Sequence, residues 1–203
     1  MRKKDKKAFS ILEVLVWIFI FSMWIISVYS IIITTLNLND YNKNYIIASS
    51  LAREQLELVR NIRDSNYKKI QIYNQINPNS DNHTRLFEFD KYYKVENDLA
   101  STATFPISVD EITDFWEWKA NLSTKMQDYK LCIDPNNFYT YSCAVWNKQT
   151  PFYKYIKIEK VKYNDWSDIT ISSAFKVTSK VIWYMKGYHE FEIDAIFTDF
   201  KRL

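Results

Sequence analysis

Few side chains in this chain are placed to do chemistry, and the most conspicuous is Glu13. It is a lone carboxylate at the head of the apolar run Ile11-Leu12-Glu13-Val14-Leu15-Val16. An ionised group entering a membrane span is costly unless it is paired, so its presence implies a partner and a purpose. Cys132 and Cys143 are the only cysteines, and between them lies the turn signal Asp134-Pro135-Asn136-Asn137. Two readings fit this pair: a disulfide closing the loop, or two buried thiols in neighbouring strands. An oxidising compartment favours the disulfide, which would contribute about 3 kcal/mol.

Other candidates are weak. His83 and His189 are the only histidines, far apart and without ligand spacing around them. No metal site and no acid–base site is expected from them. Ser10, Ser22 and Ser27 have no base in view, and Gly187 is the only glycine, so a glycine-rich phosphate loop is missing. The segment Asn77–Asn82 lacks the regular spacing of a calcium loop and reads as an ordinary turn. The Tyr–Lys alternation at Tyr153-Lys154-Tyr155-Ile156-Lys157 has the composition of a base-stacking strip, but solvated strand faces look the same. No enzyme activity, no cofactor and no nucleic-acid partner is expected.

The elements that must position Glu13 and the cysteines follow from charge and periodicity. The net charge of +3 is local. Arg2, Lys3, Lys4, Lys6 and Lys7 face only Asp5 in the first eight residues; removing these five basic and one acidic residue from 27 and 24 leaves 22 and 23. A basic flank before an apolar span places the N-terminus in the cytoplasm by the positive-inside rule. From Val14 to Asn39 there is no charged residue, long enough to span a bilayer and too long for a cleaved secretory signal. The pattern predicts one helix from residue 9 to about 63, roughly 80 Å long, apolar all round in its first half. Its second half is amphipathic, with Tyr41, Tyr45, Ala48, Ala52, Leu56 (or Gln55), Val59 and Ile62 on one face.

Beyond the turn at 77–82 the period changes to two. Arg85–Val95 reads as a hairpin turning at Asp90-Lys91, followed by an irregular region from Glu96 to Asp128. Strands are expected at Tyr129–Ile133, Phe138–Ala144, Phe152–Tyr163 and Phe175–Met185, with a return after Gly187 through Phe191–Phe197. Strands after one helix imply an α+β fold: a long N-terminal helix, membrane-spanning in its first half, packed on a C-terminal antiparallel β-sheet.

The N-terminal residues resemble the cleavage and methylation site of type IV prepilins and pseudopilins. That pattern is a basic leader, a small residue, a Phe, and a Glu four residues after it within an apolar helix. Here it is Lys6-Lys7-Ala8, Phe9, Ser10-Ile11-Leu12 and Glu13. The match covers residues 3 to about 36. The stretch Ala52–Asp64 and the closing segment Val181–Phe200 also resemble pilin-like chains, more loosely. The resemblance implies that a prepilin peptidase cuts between Ala8 and Phe9 and N-methylates Phe9. The family usually has Gly where this chain has Ala8. It further implies a division into leader 1–8, membrane and polymerisation helix 9–38, and extracytoplasmic pilin-like domain 39–203. The implied partners are the peptidase, identical or related pilin subunits, inner-membrane assembly machinery and lipid. Glu13 would pair with the Phe9 ammonium of a neighbouring subunit, each relieving the other's desolvation. The alternative is a single-pass anchored binding domain that does not polymerise.

The glycine count suggests one more reading. Average usage of about 7% would give roughly fourteen glycines, whereas the chain has one, alongside seven tryptophans. Some bacterial lineages read UGA as glycine. Trp17, Trp24, Trp118, Trp146 and Trp166 are candidates for such recoding, whereas Trp183 sits in a clean strand pattern. UGG at all five codons would end that reading.

Overall fold

A computed structural model describes residues 10–77, 86–97, 106–113, 130–163 and 170–199. The expectations placed on Ala8, Phe9, the 78–82 part of the turn, His83, Trp118 and Trp166 lie outside those residues. The chain divides into two compact units, Met1–Asn44 and Tyr45–Leu203. A single helix, α1 (Ile11–Lys68), contributes to both. It runs five residues past the predicted end and closes with paired turns. Ile70 N–H bonds Tyr67 O at 3.2 Å and Gln71 N–H bonds Asn66 O at 2.9 Å. This is the Schellman pattern, which favours glycine at its left-handed position. Ile70 occupies that position with φ 60°, a conformation that is costly for a β-branched residue. The side chain of Asn66 ties the turn to the following segment by donating to Gln75 O at 2.7 Å and Tyr73 O at 3.3 Å.

The second unit holds a seven-stranded antiparallel sheet. Its strands are β1 (Lys91–Asn97), β2 (Ile107–Glu111), β3 (Lys130–Ile133), β4 (Tyr139–Thr140), β5 (Lys148–Lys162), β6 (Thr170–Tyr184) and β7 (Tyr188–Thr198). The long strand β5 is central. One of its edges pairs with β3 and then β1, and the other pairs with β6, which in turn carries β7. Pro151 can lie inside β5 because its missing N–H coincides with the register shift against β3 and precedes the first β6 pair, Phe152↔Trp183.

Alternation decides the faces. On β5, Phe152, Ile156 and Ile158 turn toward the second half of α1, as do Phe175, Val177, Val181 and Trp183 on β6. Leu56, Val59 and Ile62 pack on the Ile156–Val177 region, and Ala48, Leu51 and Ala52 pack on Phe152 and Trp183. Alanines lie where the helix meets the largest buried side chain, Trp183, so bulk on one element is matched by its absence on the other. The opposite face carries a separate cluster of Ile112, Tyr153, Tyr155 and Ile182.

Three strand expectations change. No hairpin turns at Asp90-Lys91. Leu86 bridges back to Gln75, Asp90 takes a left-handed φ of 60°, and its N–H bonds Ile158 O at 2.7 Å. That contact launches β1 along β5 instead. Period-two alternation identifies a strand but does not name its partner. The region read as irregular contains β2, five residues paired to β1. The strand expected over 138–144 shrinks to Tyr139–Thr140, because turns occupy both flanks.

Candidate functional site

Glu13 sits in the first turn of α1, where the N–H groups of Glu13 and Val14 bond Ser10 O at 3.0 and 3.2 Å. A carboxylate there is favoured by the helix dipole. Its side chain is exposed, and no described basic residue forms an ion pair with it. From Val14 onward the helix shows only apolar and uncharged polar side chains for 26 residues. This segment is long and apolar enough to cross a membrane, and the most apolar 18-residue window has none of its residues buried inside the protein. Four of its hydroxyls are satisfied within the helix: Ser22 donates to Phe19 O at 2.7 Å, Ser27 to Met23 O at 2.9 Å, Thr34 to Ser30 O at 2.9 Å and Thr35 to Ile31 O at 2.9 Å. Polar groups returned to the helix's own backbone remove most of the penalty of placing them in lipid. Glu13 is thus the one group in this segment whose charge finds no answer within the described chain.

The second half of the helix treats its polar groups differently. Gln55 is completely buried; its Oε1 accepts from Ser179 Oγ at 2.8 Å and its Nε2 donates to the Tyr141 hydroxyl at 3.4 Å. The Tyr141 hydroxyl in turn donates to Lys154 O at 3.0 Å. Burial pushes the Tyr141 phenol well above its ordinary pKa, with the charges of Glu96 and Glu54 adding to the effect. It therefore remains a donor throughout the neutral range. Lys154, fully buried on β5, reaches Glu54 at 3.3 Å and lies over the Tyr141 ring at 5.4 Å. A hundred residues separate Glu54 from Lys154, so no local pattern could have announced this polar seam between helix and sheet. The seam also removes the base-stacking strip, since Tyr153, Lys154 and Tyr155 are all buried.

Cys132 and Cys143 form a disulfide with Cα atoms 5.3 Å apart, tying the end of β3 to the segment after β4. Within the loop, Asp134 Oδ1 accepts from the backbone N–H groups of Asn136 at 2.9 Å and Phe138 at 2.8 Å. His189 stacks on Trp183 and places Nε2 3.1 Å from Met185 O, a packing role. Among the described residues no group of His, Cys, Asp and Glu could hold a metal ion.

The candidate recoding sites divide. Trp17 and Trp24 are 63% and 71% exposed on the apolar helix. Trp146 is 87% exposed in the turn Ala144–Asn147, yet its φ is not positive, so the backbone there does not demand glycine. Trp183 is wholly buried. Set against known proteins, the chain matches no family model, no curated protein and no solved structure.

Proposed function

We propose that this chain is a type IV pilin-like or pseudopilin subunit, a structural component that enters the membrane as a prepilin and assembles through its N-terminal helix. The observation that carries the reading is the coincidence of Glu13 with the Ala8–Phe9 pattern, at the head of a helix whose most apolar 18-residue window has no residue buried in its own protein. The leader would be removed between Ala8 and Phe9 and the new terminus N-methylated. Glu13 would then pair with the Phe9 ammonium of a neighbouring subunit. The apolar faces supply adhesion, and the ion pair sets the axial register, because a buried charge left unpaired costs several kcal/mol. Before assembly the subunit is a single-pass membrane protein with its N-terminus in the cytoplasm. Its second unit lies outside, where the Cys132–Cys143 disulfide is stable. After assembly it belongs to an extracellular filament.

Substituting Glu13→Ala in the native host tests the register role. The expected result is an unchanged amount of membrane-inserted protein with filament yield reduced at least about tenfold. Normal filaments from that variant would refute the pairing.

A further inference from the structure

A cleft of about 750 Å³ opens beside the disulfide loop. Six residues of its lining, Asp134, Asn137, Phe138, Tyr139, Thr140 and Ser142, lie between Cys132 and Cys143. The facing wall comes from three other places: Glu54 on α1, Glu96 and Asn97 at the end of β1, and Ser108 on β2. Asn147 also lines it. A covalently closed loop thus builds one side of a concave surface whose other side is helix and sheet.

The lining has an unusual chemistry. Its described residues combine three carboxylates, three carboxamides and three Ser or Thr hydroxyls with two aromatic rings, one of them the Tyr139 phenol, and include no Lys, Arg or His. Most of the polar groups are fixed in place by the protein itself. Asp134 is held by two backbone N–H groups, Glu96 Oε1 accepts from Tyr141 N–H at 3.2 Å, and Glu54 Oε1 accepts from Lys154 at 3.3 Å. Asn147 Nδ2 donates to Ser142 O at 2.5 Å, and Thr140 Oγ1 accepts from Ser142 N–H at 3.0 Å. Each of these bonds uses one polar atom of a side chain that carries more capacity than one. Tyr139 is braced edge-on against Phe152 with ring centroids 6.3 Å apart, whereas Phe138 is 53% exposed.

The geometry points to a binding site for a neutral oligosaccharide. Planar carboxylate and carboxamide groups each match a pair of adjacent sugar hydroxyls, taking or giving two hydrogen bonds at once. An exposed aromatic ring gives the apolar face of a pyranose a surface on which to be buried. Side chains already held in position lose little freedom on binding, which favours a ligand recognised through many modest hydrogen bonds. Asp134 and Glu96, which have no described cation beside them, oppose sialylated, uronic-acid and phosphorylated ligands. A basic peptide fits less well, because Glu54 is already answered by Lys154 and neutral donors and acceptors outnumber the acids. The inference needs only an extracytoplasmic location and stands apart from polymerisation.

Full-length protein in lipid nanodiscs is applied to immobilised oligosaccharides of glucose, galactose, mannose and N-acetylglucosamine, beside sialylated and uronic-acid oligosaccharides and poly-lysine. Two variants, Asn97→Ala and Phe138→Ala, alter exposed positions that support no core. The expected result is retention on at least one neutral oligosaccharide, weakened about tenfold in each variant while the melting temperature is unchanged. Retention on no neutral oligosaccharide at millimolar concentration would overturn the site. So would equal binding by both variants, or preference for an anionic sugar or for poly-lysine.

Discussion

The two halves of α1 both carry large aliphatic side chains, yet these end in opposite situations. Between Ile11 and Asn44 the helix turns Ile18, Ile25 and Leu36 outward at 60%, 54% and 57% exposure. Between Tyr45 and Lys68, Leu51, Val59 and Ile62 are buried under the sheet. In the first half, polar side chains bond their own backbone three or four residues back; in the second, Gln55 and Glu54 reach strands more than eighty residues away. Helical structure is common to both, but only the second half finds its apolar partner among the described residues. The other leaves its apolar surface uncovered by the described residues, and Glu13 at its head has no described cation beside it.

Matched substitutions sharpen this contrast most. Ile62→Ala removes a completely buried side chain, and should lower the stability of the second unit by about 2–5 kcal/mol. Ile25→Ala deletes the same atoms from an exposed position, and should leave the melting temperature of that unit unchanged. Chemical unfolding of both variants in the same detergent checks this, and equal destabilisation would break the distinction. Reduction of Cys132–Cys143 comes next. It should cost the second unit about 3 kcal/mol in the chain-entropy account, seen as a lower melting temperature in reductant. An unchanged value would mean that the loop is held by its turns alone.

The smallest effect concerns a carboxylate that, unlike Glu13, has its partners in place. Asp194 lies 2.7 Å from Lys176 and accepts from Thr178 at 2.7 Å. Burial pushes its carboxyl pKa up, but those hydrogen bonds and the Lys176 charge together hold it below the ordinary value. A depressed carboxylate contributes stability above its unfolded pKa, near 4, and loses it as pH falls through the folded value. Asp194→Asn should therefore cost less than about 1 kcal/mol at neutral pH, since the pair is half exposed. Stability curves of the two proteins should converge as pH falls below about 4. A constant gap across that range would contradict the assignment.

Periodicity made much of this legible. The charge-free run after Glu13 and the three- and four-residue steps at Ala48, Ala52, Val59 and Ile62 identify the helix and its buried face. Strict alternation through Phe175–Trp183 identifies β6, including Trp183 as a core residue. What stayed hidden depends on contacts between distant residues. The Lys154–Glu54 pair looked like one more solvated lysine in an alternating strand. The Leu86–Gln75 bridge diverted a predicted hairpin. The cleft draws its walls from α1, β1, β2 and the disulfide loop, which share no local pattern. The cysteines were visible as a pair, but not as one wall of that cleft.

The most direct measurement is the intact mass of the protein isolated from its native host. A polymerising pilin-like subunit should lack residues 1–8 and carry one additional methyl group on Phe9. A chain that retains Met1–Ala8 and an unmodified Phe9 would contradict that account and leave a single-pass anchored domain in its place.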